Sequence, residues 1–126
     1  MAGELTPLVL LPRYTTYAGK ATDQFFTTIG MDVTQYESAI INMWRGKFVG
    51  TDTPDDLFVR FEESTDQDSW TTCTGSPGGD DGPAENTEEQ YTLTLKKRWF
   101  RIKVGLPNAN NVVSCWAVGF LEDRLR

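Results

Sequence analysis

A chain of 126 residues, 39% hydrophobic and 24% charged, is sized and composed for one soluble globular domain and is too short for two independent cores. Its formal charge of −6 argues against nucleic-acid binding, which calls for a dominant basic face, and no apolar run approaches the ~18 residues of a membrane span. With no histidine and only Cys73 and Cys115, it lacks the usual neutral-pH general base, the Ser-His and Cys-His nucleophile pairings, and the ligands of a structural zinc site.

The start of the chain has no basic lead, and Leu8-Val9-Leu10-Leu11 is a short apolar run bounded by Pro7 and Pro12. We therefore expect a protein made in the cytoplasm without a cleaved signal. Residues 1–20 read as an extended N-terminal arm preceding a single domain over 21–126. The arm is either the first strand of that domain or an apolar strand offered to a neighbouring subunit through Leu8, Val9, Leu10 and Leu11.

Asp23 to Ile29 is rich in aromatic and β-branched residues and predicts a strand, followed by a loop whose Val33 and Tyr36 plug the core. From Ser38 to Val49, Ala39, Ile41 and Met43 alternate with Ile40, Asn42 and Trp44, and Gly46 marks a bulge or a close approach. After a loop over 50–56, Leu57, Val59 and Phe61 alternate with Phe58, Arg60 and Glu62, the period of a half-buried strand. Ser64 to Ser69 is a polar turn, and Trp70 opens the next strand. Glu62, Glu63, Asp66 and Asp68 offer oxygen ligands to a calcium ion, but no EF-hand spacing accompanies them, so a solvated turn is the expectation.

Residues 74–90 contain four glycines and two prolines without periodicity, which predicts a mobile surface excursion. Gly78 to Gly82 is not a phosphate loop, because no Lys-Ser/Thr pair follows it. Tyr91, Leu93 and Leu95 then face inward, Lys96-Lys97-Arg98 turns the chain, and Phe100, Ile102 and Val104 alternate with Trp99, Arg101 and Lys103. A polar turn over 107–111 leads to the last long strand, Val112 to Leu121, with Val112, Ser114, Trp116, Val118 and Phe120 on one face.

Seven or eight strands without a helical period predict an all-β fold: a two-sheet antiparallel β-sandwich of jelly-roll or Greek-key type. Charge is segregated along it, balanced over 1–50, −11 over 51–90 and +5 over 91–126. That asymmetry implies either adjacent strands that neutralise one another or complementary surfaces within or between copies. Cys73 and Cys115 are expected as buried free thiols, a disulfide requiring their strands to be neighbours. Trp70 and Trp116 are expected in the core. Trp44 and Trp99, with Arg101 and Lys103, lie opposite the expected core and are candidates for a ligand or subunit contact. No catalytic, metal or cofactor residues are expected.

Three stretches carry a resemblance: Asp56 to Thr71 with its Glu-Ser-x-Asp turn and Trp-Thr, Met31 to Ala39, and Lys97 to Val104. In order and spacing they resemble small galactose-binding-like jelly rolls of tailed bacteriophages, over roughly residues 23–104. The resemblance implies a virion structural protein made in the host cytoplasm, foremost a head decoration (cement) protein bound to the major capsid protein or other virion proteins, with self-association open. It also implies an alternative, a glycan-binding module used in host recognition.

Overall fold

The computed structural model describes residues 4–19, 24–50, 57–106 and 111–124. Its strands pair in nested fashion from the two ends of the chain inward. Strand β1 (Leu5–Ala18) pairs with β10 (Asn111–Asp123), and the short β2 (Gln24–Thr27) and β3 (Met31–Asp32) pair with β9 (Trp99–Leu106). Strand β4 (Tyr36–Arg45) pairs with β8 (Thr87–Thr94), β6 (Phe58–Ser64) with β7 (Thr71–Thr72), and β5 (Val49–Gly50) adds to β10. These pairs fall alternately into sheet A, ordered β1-β10-β4-β8, and sheet B, ordered β2-β9-β6-β7. A long hairpin rolled around itself gives this order: the sandwich is a jelly roll.

The core is built from the inward halves of alternating strands. Sheet A contributes Leu8, Leu11, Ala39, Ile41, Met43, Leu93, Val113, Cys115 and Ala117; sheet B contributes Val59, Phe61, Phe100, Ile102, Val104 and Leu106. Phe61 ties the layers together, stacked on Phe100 within sheet B at 6.2 Å and tilted against Tyr91 of sheet A at 5.5 Å. Each such side chain contributes roughly 1.5–3 kcal/mol by leaving water. Tyr17 and Phe26, stacked at 4.5 Å, close one end, and burial raises the Tyr17 hydroxyl above its usual pKa.

The arm proves to be an integral strand. Residues 5–18 run along the whole of β10, and Leu8, Leu10 and Leu11 are core residues. Pro7 and Pro12 are tolerated because β1 lies at the sheet edge and breaks register between Val9 and Leu11 and again before Thr15. Tyr14, with φ 63°, sits in the second of these breaks.

The excursion expected over 74–90 is tied down instead. Residues 87–90 already belong to β8. Ahead of them the chain runs back along β6: Cys73 N–H donates to the Phe61 carbonyl, Val59 N–H to that of Gly79, and Gly82 N–H to that of Leu57. The loop therefore satisfies the free edge of β6, and Pro77 and Pro83 are buried beneath it. Gly75, at φ 94°, makes the bend: a side chain there would strike the Thr92 carbonyl. The buried Arg45 holds the far side through the Pro83 carbonyl at 2.7 Å.

Cys73 and Cys115 are buried free thiols. Burial pushes Cys115 up to about 12 and raises Cys73 too, with Glu63 and Glu62 adding to the effect.

Candidate interaction surfaces

The sequence-derived contact residues divide among three places. Leu8, Leu10 and Leu11 are in the core and take no part in a surface of the folded chain. Val9 and Trp44 lie on the outer face of sheet A, whereas Trp99, Arg101 and Lys103 lie together on the outer face of sheet B.

Register places the outer face of sheet A in rows. Pro7, Phe120, Ile40 and Thr92 form one row, Val9, Val118, Asn42 and Gln90 the next, and Trp116, Trp44 and Glu88 a third. Val112 and Val49 continue the face at one end. Phe120 is 45% exposed, Val9 59%, Val49 66% and Val112 39%. Strands β1, β10 and β4 thus present an apolar centre, with Glu88, Gln90 and Thr92 of β8 as a polar border. Arg13 lies over the Trp116 ring at 5.8 Å, and Thr16 and Ser114 share a hydrogen bond at 3.2 Å. The tryptophan expected in the core, Trp116, is therefore half-buried on this outer face. The inward positions of β10 are instead the small Val113, Cys115 and Ala117.

The outer face of sheet B is a layer of rings and cations. Phe25 and Phe58 meet edge to face at 5.1 Å over Gly105, where a Cβ would sit only 2.6 Å from the Phe25 ring. The Lys103 ammonium lies 4.9 Å from the Phe25 centroid, and the Arg60 guanidinium 5.1 Å from that of Phe58. Further along, Arg101 lies over Trp70 at 4.0 Å and Arg98 over Trp99 at 4.9 Å. Trp70 is half-buried in this layer rather than in the core, its indole N–H donating to the Gln67 carbonyl at 3.2 Å.

Beneath the layer lies an ion pair that composition does not reveal. Glu62 is buried and accepts two contacts from Arg101, Nε at 2.9 Å and an Nη at 2.8 Å, with Arg60 at 3.9 Å. Glu63 is buried as well, its carboxylate accepting the Lys96 backbone N–H at 2.8 Å. These two acids are structural members of β6 and not part of a solvated turn. Alternation placed Glu62 outward but could not show that Arg101 would pair with it there. The turn itself is closed by Asp66, whose carboxylate accepts the Ser69 and Asp68 N–H groups and the Ser64 hydroxyl, each at 2.9 Å. Those bonds hold the Asp66 carboxyl below its usual pKa, the backbone donors first. Among the described residues no group of three or more Cys, Asp or Glu is arranged to hold a metal ion.

The third feature is an open cleft of about 770 Å³ at the end of the sandwich where β3 turns into β4 and β8 into β9. Lys96, Lys97, Arg98 and Arg124 line it with Asp32 and Tyr36. Arg98 pairs with Asp32 at 3.1 Å, and the bonds Asp32 accepts from Thr34, with the Arg98 pairing, hold its carboxyl below the usual range.

No known protein family, no curated protein and no solved structure matches the chain.

Proposed function

We propose that this protein is a structural component of a virion, acting as a head decoration protein that docks on neighbouring shell proteins through the outer face of sheet A. The observation that carries the reading is the apolar centre of that face: Val9, Phe120, Val112 and Val49 exposed around half-buried Trp44, Trp116 and Val118. A sheet facing water normally alternates to polar residues on its outer side. An apolar centre bordered by polar side chains is instead the anatomy of a protein–protein interface. The jelly roll suits the role, being a frequent capsid and lectin scaffold, although fold analogy is a weaker support than the face itself. The resemblance of residues 23–104 to phage jelly rolls supplies the assembly, with the major capsid protein as the partner and the virion as the location.

The test is co-sedimentation of the purified chain with assembled shells, with copies per particle counted by quantitative mass spectrometry. Hundreds of copies, lost when Val9→Asp and Phe120→Asp are combined, are expected. No shell binding, or binding indifferent to those changes, would overturn the proposal.

Glycan recognition at a tail or fibre is a second reading, favoured by the rings of Phe25, Phe58, Trp70 and Trp99 gathered on sheet B. Calorimetric binding of a sugar by the isolated chain, abolished by Trp99→Ala, together with a handful of copies per particle, would select it.

A further inference from the structure

The cleft at the end of the sandwich reverses the charge of the molecule around it. In a chain of net −6, its lining gathers Lys96, Lys97, Arg98 and Arg124 against the single carboxylate of Asp32. Among the described residues only Arg98 of these four has a carboxylate within ion-pair distance. Lys97 donates instead to the Thr71 hydroxyl at 2.9 Å, and Arg124 to the Thr34 carbonyl at 3.0 Å. The walls are fixed by backbone bonds: Val33 N–H to Arg98 at 2.7 Å, Leu95 N–H to Glu37 at 2.9 Å and Arg124 N–H to Gln35 at 3.0 Å. The cations are therefore held in a formed concavity, not on free loops.

The complementary charge is at the other end of the same molecule. Asp80, Asp81, Glu85, Glu88 and Glu89 are all exposed, and none has a cation within ion-pair distance among the described residues. Strand β8 separates them from the cleft. From Glu88 to Lys96 the chain is extended for most of its course, so the two lie on the order of 25 Å apart, beyond the ~8 Å screening length at physiological salt. The opposite charges of one copy cannot meet. Other acids stand near the cleft end: Glu63 accepts the Lys96 backbone N–H, Asp66 is turned into its own loop and Glu122 accepts the Ser38 hydroxyl, while Glu37 and Asp123 flank lining residues in sequence.

We propose that the cleft binds a carboxylate-rich surface, and that its occupant is the acidic end of the sandwich, Asp80 to Glu89, of a second copy. The contact joins different surfaces on the two copies, so it is heterologous and leaves an open cleft and an open acidic end to propagate into a ring or filament. Glu88 apart, which stands at the polar border of sheet A, it uses neither face of the sandwich, and it does not depend on shell docking through the apolar centre of sheet A.

Sedimentation velocity on the full chain tests it. At about 0.05 M salt the weight-average mass is expected to rise with protein concentration, and at about 0.5 M salt to fall back to the monomer. Lys96→Glu with Arg124→Glu, or Glu85→Lys with Glu88→Lys, should each weaken association at least about tenfold. All four side chains are exposed, and circular dichroism melts check that both variants fold. Mixing the two variants restores opposite charge at both ends, so the mixture should associate where each alone does not. A wild-type chain that stays monomeric at low salt would overturn the proposal, as would association indifferent to the reversals. If such association is lost with Val9→Asp and Phe120→Asp, it belongs to the face of sheet A. A mixture that fails to re-associate also refutes the pairing.

Discussion

Replacing Arg101 with Met tests the ion pair beneath sheet B. The change removes the two short contacts to Glu62, leaving only Arg60 at 3.9 Å, and Met keeps much of the stem volume. The Glu62 side chain is 5% exposed and that of Arg101 20%, so water restores little of what is lost. Breaking a buried pair by removing one partner costs about 3–5 kcal/mol. Arg60 is a residual partner and Arg101 is not fully buried, so we take the lower part of that range, roughly 3 kcal/mol. At about 3–5 °C per kcal/mol for a domain of this size, that is a drop in Tm of about 10–15 °C. The guanidinium also covers Trp70 at 4.0 Å, a contact worth about 0.5–1 kcal/mol on its own. Trp70→Leu removes that part while keeping the ion pair and should cost much less. Urea denaturation with Cm and m measured for Arg101→Met, Trp70→Leu and Glu62→Met with Arg101→Met separates the contributions. The double variant, having no unpaired carboxylate, should be more stable than Arg101→Met alone. A loss below about 1 kcal/mol for Arg101→Met, or a double variant less stable than the single, would refute the reasoning.

Phe61→Ala opens a cavity where the two sheets meet and should cost about 3–5 kcal/mol by the same denaturation assay, enough to leave the chain partly unfolded. Gly75→Ala forces a side chain into a left-handed bend against the Thr92 carbonyl and should cost about 1–3 kcal/mol, with faster proteolysis of residues 73–86 as a second readout. Asp66→Ala removes the acceptor that closes the 64–69 turn. Because the folded Asp66 pKa is lowered, its stabilisation is fully present above the unfolded value of ~3.9 and disappears as pH falls through the folded value. The stability gap between wild type and Asp66→Ala should therefore be constant near neutrality and close in acid.

Period-two alternation made the strands readable wherever one face met the core, as in Ala39-Ile41-Met43 and Phe100-Ile102-Val104. The two-sheet sandwich, with jelly-roll or Greek-key connections, followed from strand number and turn spacing, and the strand order selects the jelly roll. Which face of β10 points inward did not follow, because its larger residues, Trp116 and Phe120 among them, are the outward ones and the smaller Val113, Cys115 and Ala117 are buried. Nor did the order over 74–86, which comes from hydrogen bonds to β6 that only the tertiary fold supplies. Lone side chains were harder still. Trp99, Arg101 and Lys103 share one face, being alternate residues of one strand, whereas Trp44, grouped with them, lies on the other sheet. Leu8 and Val9 are neighbours in sequence but end on opposite faces of sheet A. The cleft joins residues 32–36, 96–98 and 124, a distance in sequence across which no local pattern speaks.

The nested pairing has a consequence for how the chain reaches this state. Sheet A is seamed down its middle by β10, which hydrogen-bonds β1, β4 and β5 and is the final strand in the sequence. Until residues 111–123 have left the ribosome, β1 and β4 have no partner between them, and their apolar sides stay uncovered. Closing that seam joins segments about a hundred residues apart, the kind of long-range step that folds slowly and leaves intermediates prone to aggregate. Sheet B has its long central pair, β6 and β9, within one stretch of chain and is free to form first. Of the strands described, the one made last is thus the one that holds the earliest in place.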